Sequence, residues 1–410
     1  MNQSPGELSM VAPAESDWID VQAELIDDQP VLPPPTARWW LRGPMLIVSG
    51  IEWTFGVLSL IIGLSVLASI PVLQVASLGY LLEVTGRVGR DGQVRSAWIG
   101  VRRSARFGAI VACVWLLLLI PRLLISLNYS AVLINDPFVS ASSPSHGRAW
   151  RVGIGLLTAV ILLHIVWSLY RGGRLRDFLW PAPLRLLGEL RRGFDWSSRW
   201  KALSATWRSL RFTHYFWLGL QGYLTTFVWL VIPMALMAEG TRRDPDSVGL
   251  FVLVSLVATT LVVPYLPLLQ AEFGRTGNWR CMFGTRRARE LFVRAPWSWW
   301  LAITVLLIAA LPLYLLKAEL IPSELAWFPG LFFVVFMWPA RVIAGWALAC
   351  SLHRDRPAHW FWRWTARLGL LVVSFIYAGV LYFTPQFSWY GARSLFEHHA
   401  FLVPAPFLGF

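Results

Sequence analysis

Charge is what this 410-residue chain has least of. Asp, Glu, Lys and Arg make up 14% of it, against about 25% in soluble domains. Hydrophobic residues make up 56%, and the mean hydropathy is +0.54. That balance excludes a water-soluble globular fold and assigns the chain to lipid. Lysine is nearly missing, with Lys201 and Lys317 alone among the arginines, a bias in keeping with a GC-rich bacterial genome. The net charge of +13 is not a nucleic-acid footprint. Its arginines stand in blocks between apolar runs, where the positive-inside rule accounts for them, so no nucleic acid is expected as a partner.

Cysteine is also scarce. Cys113, Cys281 and Cys350 lie too far apart for a disulfide framework or metal-ligand spacing. No G-x-S-x-G, H-E-x-x-H, Walker or dinucleotide signature occurs, so neither cofactor nor metal is expected and the case for an enzyme is weakened. Basic residues are missing from residues 1–37, which carry Glu7, Glu15, Asp17, Asp20, Glu24, Asp27 and Asp28 before Pro33-Pro34-Pro35. Residues 1–43 therefore read as a disordered acidic tail and not as a signal peptide, which needs a basic start and an early apolar core.

What is present in abundance is apolar runs of membrane-crossing length. Runs of about twenty residues fall at 45–70, 107–127, 151–170, 215–237, 248–271, 297–316, 328–350 and 367–383. The expected fold is an all-α bundle of about eight transmembrane helices in a bacterial inner membrane. The connections around Arg103, Arg191, Arg287 and Arg356 are arginine-rich and alternate with arginine-poor ones, which places the former in the cytoplasm. This alternation puts both termini outside if residues 45–84 form one span followed by a short helix emerging toward the cytoplasm. Pro71 also permits a hairpin, which would bring the N-terminus inside. Trp39-Trp40, Trp150, Trp297, Trp299-Trp300, Trp327, Trp360, Trp362 and Trp364 fall at span ends, where amphipathic rings settle among headgroups.

Pro71-Val72-Leu73-Gln74 recurs as Pro267-Leu268-Leu269-Gln270, Val101-Arg102 as Val293-Arg294, and Ile120-Pro121 as Leu311-Pro312. These echoes suggest a duplicated unit and a 4+4 arrangement, with repeats at 44–238 and 239–384 and an aromatic C-terminal tail at 385–410. Within the long 171–213 connection, Trp196, Trp200, Leu203 and Trp207 are spaced for one helical stripe beside Arg199 and Arg211. The pattern suits a helix lying in the membrane interface or packed on the protein's own cytoplasmic end.

Ionisable residues inside spans cost a few kcal/mol unless they face protein, water or a partner. Arg341, two residues after Pro339, is the sharpest instance. Glu52, His164 and Glu272 are the other charged candidates, with Glu52 the expected ion-pair partner and His164 second. Gln74 and Gln270 follow prolines and are placed to satisfy freed carbonyls or each other. His214, His398 and His399 read as interfacial.

Residues 70–83 together with Gly86-Arg87-Val88 and Gly100-Val101-Arg102-Arg103 resemble a bacterial and archaeal family of integral-membrane proteins of unknown function. Its members carry P-x-[LV]-[NQ] and L-G-Y-L-L before a basic loop. The resemblance implies a polytopic inner-membrane protein and brings no catalytic residues. Three functions are open at this point: a permease-like or lipid-interacting protein, a scaffold binding unknown protein partners through its basic loops, and an intramembrane enzyme acting on lipid headgroups. Membrane lipids, anionic ones included, are the expected partners. A cavity reaching Arg341 would favour transport, and a solid core the scaffold.

Single cysteines introduced beside Arg103, Arg287 or Arg356 are expected to resist an impermeant thiol reagent in intact cells and to react in inverted vesicles. Labelling of intact cells at these positions would overturn the assigned sidedness.

Overall fold

The computed structural model describes residues 39–134, 144–193, 197, 204, 208–240, 245–316, 327–388 and 391–402. Within them there is no strand, and eight helical stretches are long and apolar enough to cross a membrane. They coincide with the eight apolar runs. The helices are α1 (Trp39–Ser69), α2 (Gln74–Asp91), α3 (Val101–Ile134), α4 (Pro144–Tyr170), α5 (Leu175–Leu179), α6 (Pro183–Arg192), α7 (Phe212–Gly240), α8 (Pro245–Val262), α9 (Tyr265–Thr276), α10 (Thr285–Arg294), α11 (Pro296–Leu315), α12 (Phe328–Leu352) and α13 (Trp360–Phe387). The stripe Trp196, Trp200, Leu203 and Trp207, with Arg199, lies outside the described residues. Arg211 is described and takes a left-handed backbone, φ 49°, just before α7.

The chain forms two compact units that do not follow its sequential halves. One comprises 61–100 and 212–402 with the start of α1, the other 50–60 and 101–211. In the second, α4 ends in a stripe of polar side chains that hold the turn around α5. His164 Nε2 meets the Phe178 carbonyl at 2.8 Å, and Ser168 Oγ donates to the Asp177 carbonyl at 2.8 Å. Trp167 Nε1 donates to Pro181 at 2.7 Å, and Arg171 to the carbonyls of Asp177 and Trp180. Positions i, i+3, i+4 and i+7 share a helix face, which is why four successive polar residues converge on one short segment.

The first unit is built around α2. Every residue from Gln74 to Gly89 is buried, so this helix is enclosed on all sides by protein. Its neighbours approach at glycine. A Cβ on Gly79 would collide with the Tyr215 carbonyl of α7, one on Gly86 with the Gly274 carbonyl of α9, and one on Gly89 with Leu348 of α12. Gly219 and Gly274 reciprocate from the other side, pressing on the carbonyls of Val75 and Leu82. Small residues at helix crossings permit this backbone-to-backbone distance inside a membrane.

These contacts also settle the path of the first apolar region. Gly330 at the start of α12 abuts Ser65 and Ser69, whereas Gly345 and Leu348 near its end abut Thr85, Val88 and Gly89. Residues 65–89 thus run alongside α12 from its beginning to its end. The first apolar region breaks at Pro71 into α1, a helix of membrane-crossing length, and the shorter α2. The turn occupies Ile70–Leu73, where Pro71 supplies no N–H and Val72 has φ 70°.

The basic stretches of this unit gather where α2 ends. Arg90 donates to the carbonyls of Gly274 and Arg275, His214 lies 3.4 Å from Glu83, and the Ala358 amide donates to Val293. Trp297 stacks edge-on with Trp300 and Trp362, at 5.2 Å and 6.2 Å between centroids, at this same basic end. Two local motifs echo each other there. α2 closes on left-handed Gly92 (φ 69°) and a 3-10 turn at Val94–Ala97, and α9 closes on left-handed Gly277 (φ 68°) and a 3-10 turn at Trp279–Phe283. Pro71 lies in the turn before α2, whereas Pro267 sits buried inside α9.

Gly86→Ala is expected to cost about 1–3 kcal/mol through overpacking, because its Cβ would meet unyielding backbone. Gly153→Ala, with nothing within 4 Å of the added atom, should be neutral. Thermal unfolding in detergent measures the difference.

Candidate functional site

Arg341 is the most demanding group in the first unit. It is 2% exposed, near the middle of α12, where Pro339 withholds one backbone N–H. Nη1 donates to Gln270 Oε1 at 2.7 Å and Nη2 to the Ala400 carbonyl at 3.2 Å. Nε is buried and has no hydrogen-bond partner. The charge therefore rests on an amide and a main-chain carbonyl, and no ion pair to Arg341 occurs among the described residues. The expected Glu52 pairing is corrected: Glu52 is exposed on its own helix, and His164 is engaged by Phe178.

Gln270 orients this arrangement. With its oxygen on Arg341, its Nε2 donates to Thr226 Oγ1 at 2.9 Å and to the Phe401 carbonyl at 3.0 Å, so donor and acceptor roles agree throughout. It does not bond to Gln74, which lies buried at the start of α2 with its Oε1 unpartnered. Glu272, one turn from the end of α9, belongs to a different network. Its carboxylate accepts from Arg275 at 2.7 Å and from Arg287 at 3.4 Å at the basic end. Glu83 plays the same part on α2, accepting from Arg87 at 3.0 Å and Arg90 at 3.1 Å. Of the six polar candidates, only Arg341 and Gln270 come together.

The residues that complete the site come from the C-terminal segment. After α13 the chain forms a 3-10 turn at Gly391–Phe396 and re-enters the bundle. Ser394, Leu395, Glu397, His398, His399, Ala400, Phe401 and Leu402 are all at most 2% exposed. Tyr377 hydroxyl contacts His398 Nδ1 at 3.2 Å and Tyr314 hydroxyl at 2.8 Å, and the His399 ring packs edge-on against Tyr314. His398 and His399 are thus interior, not interfacial. Glu397-His398-His399 is the densest titratable run beyond α13, and its apolar flanks, Leu395-Phe396 and Ala400-Phe401-Leu402, are the one sequence signal of burial.

Among the described residues no three His, Cys, Asp or Glu side chains converge as a metal site. Two cavities of about 350 Å³ open at the basic end, one lined by Trp297, Ser298, Arg354 and Trp362 and the other by Asp91, Trp346, Cys350 and His353. Arg341 lines neither, and the Ala400 carbonyl lies against its guanidinium while the Phe401 carbonyl lies against Gln270. Comparison with protein-family models, characterised proteins and solved structures finds no match.

Gln270→Leu should destabilise the protein by about 1–3 kcal/mol, because it strips a charged donor and two further buried groups of partners. Glu52→Leu should leave stability within about 0.5 kcal/mol, as expected of an exposed site. Chemical or thermal denaturation of the two variants checks the contrast.

Proposed function

We propose that this multi-pass membrane protein is permease-like or lipid-interacting and recognises an oxyanion, a carboxylate or phosphate group, through Arg341, which neither cavity reaches in this closed arrangement. One observation carries the reading. A guanidinium that stays charged at any physiological pH is buried against neutral partners only, with its Nε unsatisfied. Burying such a charge costs several kcal/mol unless an opposite charge and full hydrogen bonding offset it. Ion pairs elsewhere in the same unit, at Glu83 and Glu272, follow that rule. The Nε–Nη2 edge is the one that grips carboxylate and phosphate with two parallel bonds.

The surrounding topology is in keeping with this role. We take the membrane to be the inner membrane and the basic end to be cytoplasmic, by the positive-inside rule. If α1 and α2 are read as a hairpin, the acidic tail lies in the cytoplasm and needs no export. The paired helix–glycine–3-10 motifs support an internal duplication, in the register of Gly92 and Gly277. The resemblance of residues 70–103 to polytopic membrane proteins accords with all of this and assigns no activity.

Native mass spectrometry and anion-dependent thermal stabilisation of the purified protein test the reading. Phosphatidylglycerol, inorganic phosphate or acetate should stabilise the parent and fail to stabilise Arg341→Gln, with Arg341→Lys intermediate because a lysine gives no fork. Equal stabilisation of parent and Arg341→Gln would remove Arg341 from the function.

A further inference from the structure

We infer that residues 391–402 are an internal ligand, a displaceable plug whose main-chain carbonyls stand where the oxyanion binds. The inference rests on the oxyanion reading of Arg341 and adds how that site is kept closed. A chain leaving α13 has no need to return to the bundle interior. Here it turns back through Gly391–Phe396 and buries Glu397 to Leu402 among the helices. It arrives as irregular backbone, which membrane proteins tolerate only where protein or a water-lined cavity satisfies it. Satisfaction comes from the site itself: the Ala400 carbonyl accepts from Arg341, and the Phe401 carbonyl from Gln270.

The fit is that of a substitute. Charge-assisted N–H to oxygen bonds usually measure about 2.7–2.9 Å. Arg341 reaches that distance with Gln270, at 2.7 Å, and falls short of it with Ala400, at 3.2 Å. The neutral carbonyl engages Nη2 and leaves the adjacent Nε empty. An oxyanion in the place of the Ala400 carbonyl would take both nitrogens and supply the missing counter-charge. Aromatic side chains also hold the segment, with the Tyr377 hydroxyl on His398 and the Tyr314 ring on His399. Plug and anion therefore compete for one edge of one guanidinium.

Competition predicts the sign of an effect. If the segment is a plug, loosening it raises the fraction of protein able to bind, and apparent affinity rises by the same factor. If the segment is part of the binding site, loosening it weakens binding. The experiment uses the full chain in detergent, with Tyr377→Phe and, as a second loosened variant, Leu395→Ala, which removes part of a fully buried side chain by which the segment packs in the bundle. Binding of short-chain phosphatidylglycerol, inorganic phosphate and acetate is measured by calorimetry and thermal shift. Both variants should bind at least one probe about 3- to 10-fold more tightly than the parent, and adding Arg341→Gln should abolish the gain. Tightening confined to phosphatidylglycerol identifies a lipid headgroup, and tightening with phosphate or acetate a free solute. If the parent binds a probe through Arg341 and the loosened variants bind it equally or more weakly, the plug is overturned and the oxyanion site stands. If no probe binds parent or loosened variants, both readings fall together.

Discussion

Everything in the first unit is arranged around a helix that has no outward face. α2 is eighteen residues long and is enclosed by α7, α9 and α12. A lipid-exposed helix can present any apolar surface, but an enclosed one must fit a neighbour in each direction. The fit is made at backbone level, with Gly79, Gly86 and Gly89 each pressed by a different helix. Dispersion grows with such close contact, and inside a membrane it replaces the hydrophobic effect as the main attraction between helices. The enclosure also determines where polar groups can go. Gln74, Ser77, Glu83, Thr85 and Arg87 have no lipid to avoid, because protein surrounds them.

Two electrostatic regimes follow along the same bundle. At the basic end, Glu83 and Glu272 each sit among two arginines, and the cations outnumber the acids where headgroups and water are near. In the middle, Arg341 has only Gln270 and the Ala400 carbonyl. The contrast is not one of residue supply, since Glu397 lies in the re-entering segment itself. It is a difference in how the charge is answered: by opposite charge at Glu83 and Glu272, and by neutral oxygens at Arg341.

The eight spans were legible because hydropathy depends only on residue identity and run length. The enclosure of α2 was not, because Glu83, Arg87 and Arg90 depress its hydropathy and make a buried helix read as the start of a basic loop. Arg341 and Gln270 could be singled out as costly groups in apolar runs, but their pairing spans 71 residues and two helices. The wrong partner, Glu52, was the nearest acid by charge logic and lies exposed on α1.

Composition and patterning alone determined that this chain lives in lipid, crosses it about eight times as helices, and collects its arginines on alternate connections. Those properties are sums over local residues, and solvent transfer energies are additive enough to be read without coordinates. Only the tertiary structure decided that α2 is enclosed and that residues 394–402 fold back toward Arg341 and Gln270. Each of these depends on contacts between residues far apart in the chain. A short polar-aromatic tail carries no periodicity from which its burial could be inferred, and it becomes interior only because other helices leave a space lined with the donors its carbonyls require.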